Sequence, residues 1–252
     1  YRPGPASRSA ATLSHDEQKA CIRFTVELVA GRVPVVAGTG SNNTAEALGL
    51  TKYAKELGCD GALLITPYYN KPTPAGQIAH YTAIANAVDI PIMLYNVPGR
   101  TGIKMTPDTI ATLSNISNIV AVKEASGSVD QVTDILERCE ITVLSGDDSL
   151  TLPMMSVGAV GVVSVAANVV PADVAALCRF ALEGNYTEAR RIHFKLSRLF
   201  KTLFIETNPM PVKAALAAMG VIKNNLRLPL VPLAGKNLDV LTSLLREMNV
   251  VS

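Results

Sequence analysis

"IVAVKEASG", residues Ile119 to Gly127, is a short apolar run that stops on a lysine and a glutamate before a small-residue turn. Its first four residues are aliphatic or β-branched and do not alternate with polar ones. That pattern fits a parallel strand covered on both faces. The same grammar recurs along the chain, in "VPVVAG" from Val33, "GALLIT" from Gly61, "PIMLYN" from Pro91, "ITVLSG" from Ile141 and "VGVVSVAAN" from Val160. Six strand candidates therefore alternate with helix-like stretches.

The helices announce their starts. Ser14-His15-Asp16-Glu17 is a capping box, in which the serine oxygen takes a backbone N–H and Glu17 reaches back. Asn43-Thr44-Ala45-Glu46 is expected to do the same, and Thr106-Pro107-Asp108 orders a cap, a first-turn proline and a favourable charge. From Pro171 the pattern turns all-helical, with one long stretch expected through Phe204 and two more after it.

Alternating β and α elements imply a parallel sheet, either doubly wound or closed as a barrel. No GxGxxG follows a strand, which weighs against dinucleotide binding. Polar groups cluster instead at strand ends: Thr39, Thr66 to Tyr69, Tyr95-Asn96, Lys123-Glu124 and Ser145 to Asp148. Chemistry carried on several C-terminal strand ends is the habit of a (β/α)8 barrel, and that is the preferred reading.

Bulk properties exclude other classes. Of the 252 residues, 48% are hydrophobic, enough for one large core, and the net charge of +2 carries no basic stripe suited to nucleic acid. Cys21, Cys59, Cys139 and Cys178 have no CxxC or Cys/His spacing, which points to free thiols in a reducing, cytoplasmic setting. No apolar run is long enough for a membrane span. No signal peptide is seen, and the chain begins on Tyr1. His15, His80 and His193 have no ligand spacing, so no metal is expected.

Taken singly, each candidate has an ordinary explanation. A strand-end lysine usually snorkels to solvent. Inside a closed barrel rim, however, partial desolvation disfavours the charged amine, and a neutral amine can attack a ketone to form a Schiff base. Tyr95, one βα unit earlier, is placed on the adjacent strand, where its phenol can move protons. Tyr68 and Tyr69 should point opposite ways on extended chain, as a packed pair or as part of a relay. Arg100, in "NVPGRTG", has the fork for a carboxylate. Asp147 and Asp148 read better as caps of a following helix than as acid–base groups.

Together these pieces resemble the dihydrodipicolinate synthase and N-acetylneuraminate lyase superfamily of class I aldolases. The motifs that carry the resemblance are "PVVAGTGSNNTAEA", "TPYYNKPT", "LYNVPGRTG", "VAVKEASG", "LSGDDSLTLP", "GVVSVAANV", "ETNPMPVKAAL" and "LRLPLVPL". They run in order from about residue 11 to the end. The resemblance implies a (β/α)8 TIM barrel and a C-terminal helical region, usually as a homotetramer built as a dimer of dimers. Residues 1–170 would run from the end of barrel strand 2 to strand 8, lacking the first two strands, and 171–252 would hold the last barrel helix and the helical region.

The resemblance also implies an activity: condensation of pyruvate with L-aspartate 4-semialdehyde, early in diaminopimelate and lysine synthesis, with no cofactor beyond a covalent pyruvate imine on Lys123. Tyr95 would shuttle protons, Tyr69 would be a relay tyrosine donated across a tight-dimer contact, and Arg100 would hold the aldehyde's carboxylate. Val163 would give a main-chain contact near pyruvate. Arg100 separates this chain from the neuraminate lyase branch, whose loop lacks it. A lysine feedback site would involve His15, Asn42, Glu46 and Tyr68. Gln18 and Ala10 stand where inhibited members often carry histidine and serine, which argues against feedback.

The family's "GTTGESATL" aligns with "PASRSAATL". Ser7 is then the one hydroxyl in place of a Thr-Thr pair that binds the pyruvate carboxylate, with Ala6 at the other position. Two other readings follow from this departure: a catalytically impaired remnant, or a pyruvate-dependent aldolase acting on another aldehyde.

Overall fold

The computed structural model describes residues 10–251. Five parallel strands, β1 (Val36–Gly38), β2 (Gly61–Ile65), β3 (Ile92–Asn96), β4 (Ile119–Glu124) and β5 (Thr142–Ser145), lie in sequence order in one sheet. Helices α1 (His15–Val29), α2 (Thr44–Glu56), α3 (Pro74–Ala87), α4 (Pro98–Thr101), α5 (Pro107–Ser114), α6 (Val129–Leu136) and α7 (Thr151–Ser156) fall before, between and after the strands. Strand neighbours in space are neighbours in sequence, so every crossover is one βα unit long.

The sixth strand candidate is shorter than expected. It makes a single parallel bridge, Ser145 to Val162. The flanking bonds are ladder-like: Val160 N–H to Val143 O at 2.9 Å, Ser145 N–H to Gly161 O at 2.8 Å and Val163 N–H to Ser145 O at 2.8 Å. The run then stops because its next donors turn elsewhere. The Ser164 hydroxyl donates to Asp148 Oδ1, and the N–H groups of Val165 and Ala166 donate to Asp148 Oδ2 at 3.1 and 3.0 Å. Backbone groups captured by a buried carboxylate cannot also extend a ladder.

Asp148 thereby departs from its expected role as a cap of its own helix. It starts a 3-10 turn, Asp148–Leu150, but its carboxylate caps the turn at Ala166–Asn168. The helical tail also differs. The long helix expected from Pro171 to Phe204 is two helices, α8 (Pro171–Leu182) and α9 (Tyr186–Thr202). They break at Gly184, whose φ of +74° suits glycine, and Asn185 then caps α9 by accepting from Glu188 N–H at 3.2 Å. Helices α10 (Met210–Ala218) and α11 (Gly235–Glu247) complete the chain.

The helix starts behave largely as their residues dictate. Ser14 and Glu17 form both halves of the capping box. Asn43 accepts from Ala45 N–H, but Glu46 does not complete a box, because Ser41 Oγ takes both Asn43 N–H and, as a donor, Glu46 Oε2. The core lies between sheet and helices, where Leu64, Ile92, Leu94, Ile84, Ile110 and Ile135 are fully buried. Burying a side chain of this size contributes about 1.5–3 kcal/mol, and this packing fixes the strand ends that carry the polar groups.

Candidate active site

Tyr95 and Lys123 are paired positions in the parallel ladder of β3 and β4. In a strand, neighbours across the ladder share a face, so the two side chains emerge together. Both are buried, Lys123 at 6% exposure and Tyr95 at 3%. The Lys123 Nζ sits 4.0 Å from the centroid of the Tyr95 ring. This is the cation–π distance, so the ring face holds the amine as well as walling it off from water.

The surroundings narrow the lysine's freedom. A Cβ on Gly146 would lie 2.5 Å from Ala125 Cβ and 3.1 Å from Lys123 Cε. Only a glycine allows β5's exit to pass this close to the lysine stem. Gly146 N–H also donates to Glu124 O at 2.7 Å, locking that approach. Tyr95 is fixed from its other side: its carbonyl accepts from Thr66 N–H and from Thr66 Oγ1, both at 2.9 Å.

The next residue on each strand faces away. Asn96 and Glu124 are again paired across the ladder, and both are fully buried. Asn96 Nδ2 donates to Glu124 Oε2 at 2.9 Å, and Ser126 N–H donates to Glu124 Oε1 at 2.7 Å. Burial pushes the Glu124 carboxyl above the ordinary range, while these hydrogen bonds and the Lys104 charge pull the other way. Burial also raises Asp148, opposed by its three donors and by the Lys123 charge. Asn96, Glu124, Thr66 and Gly146 carried no assigned role in the sequence reading. The signal was present for two of them: each follows directly on a candidate residue at a strand end.

Arg100 is exposed in α4, a single turn after β3 that buries Thr101, and its Nη2 donates to Asn208 O at 3.3 Å. The helical tail therefore reaches the loop that carries it. Val163 is half-buried beside β5, its N–H committed to Ser145 O. Tyr68 and Tyr69 are both exposed, the latter at 90% with φ of +66°. They do not divide into one buried and one solvent-facing ring. Ser7 lies outside the described residues.

The four residues of the expected feedback site are partly gathered. His15 Nε2 lies 3.9 Å from Glu46 Oε1, and Asn42 O accepts from Asn70 Nδ2 in the loop after Tyr68 and Tyr69. All four cysteines are free thiols. Among the described residues no three His, Cys, Asp or Glu side chains gather as a metal site, and no helix is long and apolar enough to cross a membrane.

A parallel βα sheet with a buried lysine on its carboxyl rim is the framework of a lyase or aldolase of the barrel type. The chain belongs to the dihydrodipicolinate synthetase family, whose model matches residues 7–248. It is 56% identical over 238 residues to the 4-hydroxy-tetrahydrodipicolinate synthase of Syntrophobacter fumaroxidans, covering 93% of this chain and 82% of that one. The crystal structure of dihydrodipicolinate synthase from Aquifex aeolicus superposes with a TM-score of 0.97 at 47% identity, covering 98% of this chain and 86% of the other. A chloride-inhibited dihydrodipicolinate synthase from Acinetobacter baumannii, solved with pyruvate, gives a TM-score of 0.94 at 43% identity, covering 96% and 84%.

Proposed function

We propose that this chain is a 4-hydroxy-tetrahydrodipicolinate synthase, a lyase of lysine and diaminopimelate synthesis that joins pyruvate to L-aspartate 4-semialdehyde through a Schiff base on Lys123. The observation that carries the reading is the buried Lys123 amine held 4.0 Å above the Tyr95 ring at a strand end. Family membership and relatives bearing that activity across most of their length support it. The sheet is read as an arc of a (β/α)8 barrel.

The ammonium of Lys123 first gives up a proton; the resulting neutral amine adds to the pyruvate ketone, and loss of water leaves the imine. The imine draws electrons from the methyl carbon, which loses a proton and becomes an enamine nucleophile. That carbon attacks the aldehyde of the second substrate. The substrate's own amino group then attacks the imine carbon, closing the ring and releasing Lys123. Tyr95 moves protons in these steps. Arg100 binds the aldehyde's carboxylate with its fork, Val163 lines the pyruvate site, and Ser7 supplies a hydroxyl to the pyruvate carboxylate. No external cofactor enters this scheme.

Tyr69 is read as a relay group given to a neighbouring copy; an exposed tyrosine in left-handed backbone is an expensive feature to keep without a partner. A homotetramer in the cytoplasm fits this use. His15, Asn42, Glu46 and Tyr68 form the candidate lysine site. The test is direct: incubate with pyruvate, reduce with borohydride and weigh the tryptic peptides. A pyruvate adduct on Lys123 is expected. An unmodified Lys123 ends the reading, and an adduct without consumption of aspartate semialdehyde moves it to a sister aldolase.

A further inference from the structure

Lys123 and Tyr95 each end one residue short of their strand's last position, and the last positions are occupied by a hydrogen-bonded pair with no solvent access. Strand alternation sends Asn96 and Glu124 to the opposite face from Tyr95 and Lys123. They do not reach the substrate side. They are nevertheless committed on every available edge. Asn96 donates to Glu124 Oε2 at 2.9 Å and accepts Met105 N–H on Oδ1 at 2.9 Å, with a longer contact of 3.4 Å from Nδ2 to Met105 O. Glu124 takes Ser126 N–H on its other oxygen at 2.7 Å.

Met105 is the far end of the loop that leaves β3 and carries Arg100, and it is fully buried. The Asn96 amide therefore pins that loop's return to the same point where the two strands are clasped. Gln131 Nε2 adds a bond to Met105 O at 3.0 Å from α6. Both side-chain polar atoms of Asn96 and both of Glu124 are bonded, although Gln131 Oε1 and Ser126 Oγ beside them find no partner among the described residues; a buried pair satisfied in this way fixes one arrangement.

We propose that Asn96 and Glu124 are a positioning pair for the reaction: their hydrogen bond holds the ends of β3 and β4 in the register that sets Tyr95 against Lys123, and through Met105 it fixes the loop bearing Arg100. This rests on the Schiff-base reading above. The pair works by matching donor to acceptor. Asn96 presents an NH2, and Glu124 presents two acceptor oxygens. Glu124→Gln keeps shape and volume but turns one acceptor into a donor, which must then face either the Asn96 NH2 or Ser126 N–H. A shift of strand ends by a fraction of an ångström misplaces the amine relative to its phenol, and misplacement near 1 Å costs about 100-fold in rate.

The experiment compares wild type, Glu124→Gln and the exchange Asn96→Asp with Glu124→Gln, all as full chains. The exchange restores a donor facing an acceptor with the roles reversed. Each is tested for pyruvate trapping by borohydride, for kcat and KM with both substrates, and for folding by circular dichroism. Glu124→Gln should trap pyruvate and turn over about 10- to 100-fold more slowly, with KM for pyruvate little changed, and the exchange should recover most of the loss.

A folded Glu124→Gln with wild-type trapping and turnover overturns the pairing role while leaving the Schiff-base reading intact. So does a folded exchange variant no faster than Glu124→Gln. If Glu124→Gln fails to fold, the exchange decides alone: folded and near wild-type rate supports the proposal, folded and slow overturns it. If neither folds, the pair serves stability rather than positioning, and the proposal falls. A wild type that traps no pyruvate removes the underlying reading first.

Discussion

Tyr95 and Lys123 face each other across the β3–β4 ladder, with the amine of one 4.0 Å from the ring centre of the other. The ring and the hydroxyl of Tyr95 can therefore be separated experimentally. Tyr95→Phe keeps the face that holds the amine and removes only the hydroxyl, the proposed proton carrier. Its kcat should fall about 100- to 10,000-fold, the range for a lost acid–base group, while borohydride still traps pyruvate on Lys123 at saturating concentration. Lys123→Arg keeps the charge and abolishes trapping altogether. Equal loss of trapping in both variants would show that the hydroxyl is needed for imine formation itself and that the ring face alone does not suffice.

Gly146 is the second wall of the lysine. Alanine there would lie 2.5 Å from Ala125 Cβ, a distance that real Cβ atoms do not show, and would crowd Lys123 Cε at 3.1 Å, so that the lysine stem must give way. Overpacking of this kind costs about 1–3 kcal/mol, so Gly146→Ala should still fold, with a lower urea midpoint. Activity should suffer more than stability predicts if Lys123 is the nucleophile, because the atom displaced belongs to its stem. A variant that loses stability but keeps full kcat would remove Gly146 from the set that positions Lys123.

Much of this was legible in the sequence. Lys123, Tyr95 and the strand ends follow from apolar runs closed by polar residues, a local signal. The same signal overestimated the last strand, because "VGVVSVAAN" carries four valines, yet Asp148, sixteen residues upstream of Ser164, captures its donors. Nothing local in "SVAAN" reports that a distant carboxylate will claim those N–H groups. The split between α8 and α9 was legible in principle: Gly184-Asn185 is a stop followed by a cap. The Asn96–Glu124 clasp is different again. It depends on which strands are neighbours and in what register, and a single chain does not print either.

Arg100 Nη2 donates to Asn208 O at 3.3 Å, so its guanidinium is held by the helical tail. If it binds the aldehyde's carboxylate, Arg100→Ala should raise KM for aspartate semialdehyde about 10-fold or more, as expected for loss of a charge-assisted pair of about 1.5–3 kcal/mol. KM for pyruvate should move far less. Arg100→Lys should recover only part of the loss, since a point charge lacks the bidentate fork. Parallel changes in both KM values would contradict the assignment.

His80 gives the protein an acid-side weakness. Its Nδ1 bonds Thr44 Oγ1 at 2.9 Å, and its Nε2 is buried with no hydrogen-bond partner among the described residues. Burial lowers its pKa below the ordinary 6.5, and the same holds for His193. Protonating His80 would place a charge and an unmatched N–H beneath α2. As pH falls below 6.5 the unfolded chain takes up protons that the folded chain refuses, so stability drops until the folded pKa is reached. Glu124 and Asp148 act in the opposite sense, because burial raises their pKa values and the folded chain takes their protons first. A variant difference isolates the histidine. The urea midpoint of wild type should fall between pH 7.5 and 5.5, and that of His80→Leu should fall less, even though it starts lower for want of the Thr44 bond. Identical pH slopes in the two proteins would mean that His80 titrates alike in the folded and unfolded chain.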